Sequence, residues 1–172
     1  MTVKTDIQKI QEAKRAYKAL IQSIGTSSLK ELCEDAMAKT GATAIRWRQY
    51  TPYFNDGDPC EFGVGETTFR FDDTAEDEGD YGDGFDSHYR FFGEWDRALL
   101  AKLREENAPW NDPRRDDAII FTNKGNEVKY KAMTQFDRDI RELEEVLLEC
   151  FDDHKMITYE DGAFTVEDYD HD

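Results

Sequence analysis

No stretch of this chain is apolar for more than a few residues, far short of the roughly 20 that a membrane-spanning helix needs. The opening residues Met1–Asp6 lack the apolar core of a secretory signal, so the cytoplasm is the expected location. Cysteine is scarce: Cys33, Cys60 and Cys150 are odd in number, widely spaced and without a C-x-x-C pair. That argues against a disulfide framework or a zinc knuckle and predicts small buried or half-buried thiols in a reducing compartment. The three histidines, His88, His154 and His171, contain no i, i+4 pair. No G-x-S-x-G elbow or phosphate-cradling glycine loop is present, and Gly63-Val64-Gly65 lies in a strand pattern rather than a strand-to-helix turn. No motif therefore calls for an organic cofactor or names a catalytic residue.

Positive charge is the other scarcity. The 172 residues carry 22 Lys and Arg against 39 Asp and Glu, a net charge of −17. Such a chain repels nucleic acid and anionic membranes. Its 13% aromatic content is too high for a disordered acidic tail. The charge is unevenly spread. Residues 1–50 hold 9 basic and 5 acidic side chains, 51–115 hold 7 and 17, and 116–172 hold 6 and 17. The densest run comprises Asp72, Asp73, Glu76, Asp77, Glu78, Asp80, Asp83 and Asp86, without one Lys or Arg. Gly79, Gly82 and Gly84 make it a loop. It reads as a solvated loop, a cation site or a docking surface for a basic partner. Tyr81 and Phe85 embedded in the run favour a functional role as much as a bland one, since acidic disordered loops are poor in aromatics.

The apolar periodicity predicts an α+β fold in one domain spanning 1–172. Ile7, Ile10, Ala13, Tyr17, Leu20 and Ile24 form one helical stripe, and Thr5 with Gln8 can cap its start. Gly25 reads as its stop, and Leu29, Leu32, Cys33, Ala36 and Met37 as a second helix ending at Gly41, giving a helical hairpin over 1–41. Ile45, Trp47 and Gln49 then alternate with Arg46, Arg48 and Tyr50 as a strand. Gly65-Glu66 reads as a hairpin turn that sets Val64 opposite Thr67 and Phe62 opposite Phe69. Phe92, Trp95, Leu99 and Leu103 suggest a helix before Pro109, Ile119–Phe121 a short strand, and Met133–Cys150 one long helix. Asp161-Gly162 between Lys155–Tyr159 and Ala163–Val166 is a strong hairpin signal. The expected architecture is an antiparallel sheet of about five strands, helices on one face, and the acidic loop 72–90 as an insert.

The string Gln49-Tyr-Thr-Pro-Tyr-Phe-Asn-Asp-Gly-Asp-Pro-Cys60 joins a strand end to a stiff aromatic turn and an Asx-rich turn. Asp56 and Asp58 there could share a divalent cation through hard oxygen ligands, although the EF-hand spacing fails at Cys60 and Glu61. An ordinary structural turn is the simpler reading. This string, with the terminal Val166-Glu-Asp-Tyr-Asp-His-Asp172, resembles a family of small acidic proteins of phages and bacteria. The resemblance implies a phage or bacterial cytoplasmic protein and brings no catalytic residues with it.

Two functional expectations follow. The first is a non-enzymatic acidic protein that docks a basic surface of a host protein or nucleic-acid enzyme, as an inhibitor or nucleic-acid mimic acting on host defence. Its partner-binding residues would be Asp72, Asp73, Glu76, Asp77, Glu78, Asp80, Tyr81, Asp83, Phe85 and Asp86, with no direct contact to nucleic acid or membrane. The alternative is a divalent-cation module or metal-dependent phosphoester hydrolase using Asp56, Asp58 and some of Asp77, Asp80 and Asp83, helped by His88 or His171. Self-assembly is a third reading, with the basic N-terminal segment meeting acid from another copy.

Overall fold

The computed structural model describes residues 3–54, 57–73, 84–109 and 112–170. The chain opens with a 38-residue helix, α1 (Val3–Thr40), closed by Gly41, whose φ of 75° lets its N–H reach the Met37 carbonyl at 2.8 Å. The expected hairpin over 1–41 is therefore corrected: α1 runs straight through Gly25. The reason is packing. A Cβ on Gly25 would stand 2.6 Å from Val146 Cγ1 and 3.0 Å from Cys150 Sγ, so this glycine admits a neighbouring helix rather than ending its own. Gly25→Val is expected to cost about 1–3 kcal/mol in urea unfolding through overpacking. A neutral or stabilising result would show that the two helices are free to separate.

The sheet is antiparallel and five-stranded. Its centre is β1 (Ala44–Tyr50), with β6 (Lys155–Glu160) and then β7 (Ala163–Asp168) on one side. On the other side lie β2 (Gly63–Val64) and β3 (Thr68–Arg70), which both pair with β1. The expected hairpin at Gly65-Glu66 does not form. The register shifts by one residue between the two stretches, from Gln49↔Val64 to Arg46↔Thr68, so 63–70 is a single strand direction interrupted by a bulge. A helix plugs the interruption. Arg141 donates to the carbonyls of Val64 (2.7 Å) and Gly65 (3.2 Å), and Asp137 accepts from the Thr67 N–H at 3.1 Å. The β6–β7 hairpin forms as its turn demands, with Asp161 and Gly162 at φ 50° and 78°.

Between β3 and β6 the chain forms a second, two-stranded sheet, β4 (Glu94–Trp95) with β5 (Ile119–Ile120), around α2 (Arg97–Glu105). Phe92 and Trp95 lie before α2 rather than on it, because Asp96 caps the helix by accepting from Ala98 and Leu99 N–H at 3.0 Å. The expected long helix at 133–150 is two: α3 (Lys124–Arg141), capped ten residues early by Asn123, and α4 (Glu144–Phe151). At the break the Leu143 N–H turns to the Ile140 carbonyl, a tightened final turn that redirects the chain. Helices α1, α3 and α4 cover one sheet face. Their shared core contains Leu29, Cys33, Ile45, Phe136, Leu147 and Ile157, with Trp47 edge-on to Phe151 and Phe164, each at 6.2 Å between ring centres.

Candidate functional site

The acidic segment has an ordered base. Leaving β3, the chain turns at Asp72 and Asp73, and it returns through Phe85 and Asp86 alongside the same strand. Phe69 and Asp86 exchange both backbone hydrogen bonds at 2.8 Å. Arg90, on a short 3₁₀ turn (His88–Phe91), pairs with Asp73 at 2.8 Å and also with Asp86, so one guanidinium ties the outgoing and returning strands. Ser87 caps that turn and is itself buried. Phe85 is buried beneath two guanidinium groups, Arg46 at 3.8 Å and Arg70 at 5.5 Å from its ring centre. Of the expected docking residues, Phe85 and Asp86 thus build the base from inside, while Asp72 and Asp73 are exposed. Glu76, Asp77, Glu78, Asp80, Tyr81 and Asp83 lie outside the described residues.

The second feature is the sheet face that the helices leave open. Alternation along β1 turns Ile45, Trp47 and Gln49 to the core and Arg46, Arg48 and Tyr50 outward. Arg70 and Glu160 form an ion pair across the small Ala44, which both oppose in register. Arg48 lies 5.1 Å from the Tyr169 ring centre, and Tyr50 packs on Tyr169 at 5.6 Å. Tyr53 stacks on His154 at 4.9 Å, with its hydroxyl 3.5 Å from an Asp170 carboxylate oxygen. Phe54 is 78% exposed. The two sequence stretches singled out above, 49–60 and 166–172, are therefore joined in space through their described residues. A cleft of about 150 Å³ lies here, walled by Arg46, Arg48, Tyr50, Glu66, Thr68 and Tyr169.

Residues behind this face hold it in place. Gln49 is fully buried; it accepts from the Trp47 indole N–H (3.2 Å) and donates to the carbonyls of Leu147 (3.2 Å) and Asp152 (2.6 Å). Asp153 accepts from the backbone N–H groups of Thr51 and His154, each at 2.8 Å. Burial opposes its charge, but the hydrogen bonds from Thr51 and His154 outweigh that and hold its carboxyl below the ordinary value. Its stabilising effect is thus full above the unfolded carboxylate range, near pH 4, and is lost as pH falls through the depressed native value. Asp153→Ala is expected to lower Tm by about 2–4 °C at pH 7, with the gap closing in more acid solution. A gap that is constant down to pH 2 would contradict the assignment.

Two buried groups of the core are shifted as well. Burial, then the Glu34 carboxylate that accepts its hydroxyl at 2.9 Å, pushes Tyr159 up to about 12. Burial also raises the Cys33 thiol, and Cys150 is half-buried. Cys60 is exposed, which corrects the expectation that all three thiols are at least half-buried, because it sits on the outer Asx turn instead of a sheet. Asp58 is exposed on that turn after Gly57, whose φ is 97°; Asp56 and His171 lie outside the described residues. His88 stands 3.8 Å from Glu66 and packs on Tyr89. Among the described residues no group of three or more His, Cys, Asp or Glu converges as a metal site, and no helix is long and apolar enough to cross a membrane.

Gln49 and Arg90 escaped the sequence reading. A polar residue at an inward strand position was a visible signal for the first; nothing local marks the second. Comparison with known protein families, curated proteins and solved structures finds no match to this chain.

Proposed function

We propose that this is a non-enzymatic binding protein that docks a basic protein surface through the acidic segment 72–86. In the phage or bacterial setting that the sequence resemblance implies, it acts as an inhibitor or nucleic-acid decoy against a host nucleic-acid enzyme or defence protein. The observation that carries the reading is the tied base. Arg90 bridges Asp73 and Asp86, and Phe85 is locked under Arg46 and Arg70, so the two ends of the acidic run are tied together on the sheet. Such carboxylates compete for the Lys and Arg sites that otherwise take phosphates, and long-range attraction speeds the encounter. The adjoining Tyr and Arg side chains of the open sheet face are residue types that supply anchors in protein interfaces.

The test is affinity capture from bacterial lysate at low salt. The wild type is compared with a variant carrying Asp72→Asn, Glu76→Gln, Asp77→Asn, Glu78→Gln, Asp80→Asn and Asp83→Asn, which spares the base. The wild type should retain a nucleic-acid-binding protein that the variant loses and that duplex DNA displaces. Equal retention by both proteins would sink the reading.

A further inference from the structure

The N-terminal half of α1 carries an apolar stripe that the other described residues leave exposed. Every described side chain from Asp6 to Leu20 is exposed. Ile7, Ile10, Tyr17, Leu20 and Ile24 are each between 50% and 68% exposed, and the last four recur with Ala13 at the 3, 4, 3, 4 spacing of a helix–helix seam. Together these five side chains expose on the order of 550 Å² of largely apolar surface in one line, toward the upper end of the roughly 300–600 Å² of a monomer's largest patch, which is often functional. A helical arm of this length is marginal by itself in water.

We infer that this arm is the interface with a second copy of the same chain. The two arms would run antiparallel about a two-fold axis near Arg15. In that register Ile10 of each copy meets Leu20 of the other, and the small Ala13 faces Tyr17. Beyond the crossing, Ile7 and Ile10 of each arm enter the apolar groove of about 230 Å³ that Leu20, Ile24, Leu143 and Val146 line on the other copy. Two stripes together supply about 1,100 Å², above the roughly 1,000 Å² that a specific interface requires, before any polar flank is counted.

Charge selects the occupant. Residues 3–24 carry Lys4, Lys9, Lys14, Arg15 and Lys18 against Asp6 and Glu12, a net +3, which leaves −20 on the rest of the chain. Glu142 and Glu145 are exposed beside the groove. Within one chain Glu145 already draws the Tyr17 hydroxyl (3.3 Å), and Glu149 draws Lys18 (3.0 Å). A basic arm laid along the partner's α4 extends the same pairing to Lys9 and Lys14. The closed two-fold arrangement uses the same patch twice.

Sedimentation of the full chain at tens of micromolar should give twice the 20.0 kDa of one chain. Ile10→Glu with Leu20→Glu, both on an already exposed face, should weaken the dimer at least about 100-fold while leaving the far-ultraviolet circular dichroism unchanged. Lys9→Glu with Lys14→Glu should weaken it about tenfold, and adding Glu142→Lys with Glu145→Lys should restore it. A monomer at these concentrations overturns the inference. So does a dimer indifferent to both sets of substitutions, which would place the interface elsewhere. Because the capture experiment addresses another surface, either proposal can fail alone.

Discussion

Gln49→Leu is expected to destabilise the protein by about 2–4 kcal/mol, one of the largest effects of any single polar substitution in this chain. The side chain is wholly buried, and each of its polar atoms is used. Leucine would leave the Trp47 indole N–H without its acceptor and the Leu147 and Asp152 carbonyls without the Gln49 donor. These three groups lie where α4 ends against β1, so the damage should spread to the Tyr50–Tyr169 contact on the opposite sheet face. Urea unfolding followed by tryptophan fluorescence measures the loss. Gln135→Leu, at an exposed position on α3, serves as the control and should stay within about 0.5 kcal/mol. Equal effects of the two substitutions would remove Gln49 from its structural role.

Neutralising the six acids of the docking segment is expected to do the opposite. It should leave stability unchanged or slightly raised while reducing partner affinity at least about 100-fold. Repulsion among like charges is relieved by the change, which favours the compact state. The base is untouched, since Asp73, Phe85, Asp86 and Arg90 keep their contacts. Arg90→Ala is the complementary substitution. It removes the guanidinium that pairs with both Asp73 and the nearly buried Asp86, so stability should fall and affinity with it. If neutralisation destabilised the fold and left binding intact, the segment would be a structural insert and not a docking surface.

Much of the architecture was legible where one local rule had one outcome. Asp161-Gly162 permits the positive φ that a two-residue hairpin requires, and β6–β7 forms there. The alternation of Ile45, Trp47 and Gln49 with Arg46, Arg48 and Tyr50 marks a strand, and β1 forms there. Misreadings arose where one residue type serves two purposes. A glycine ends helices and also lets helices approach, and Gly25 does the second. Gly65-Glu66 has turn chemistry, yet the backbone uses it for a bulge because Arg141 and Asp137 of α3 satisfy the interrupted groups. The periodicity at 133–150 continued across a real break because α3 and α4 bury the same face. The contact between 50–54 and 153–170 could not be read locally, since it depends on β1 pairing with a strand more than a hundred residues later. The same holds for Arg90, whose role exists only because the loop closes on itself.

The central claim, that the acid of this chain is a docking surface, is tested most directly by the salt dependence of the captured complex. Affinity measured from 50 to 200 mM salt should fall by about tenfold to a thousandfold for the wild type, in the manner of a surface that displaces counterions, and far less for the neutralised variant. A complex whose affinity is flat over that range, or whose salt dependence is the same in both proteins, would contradict it.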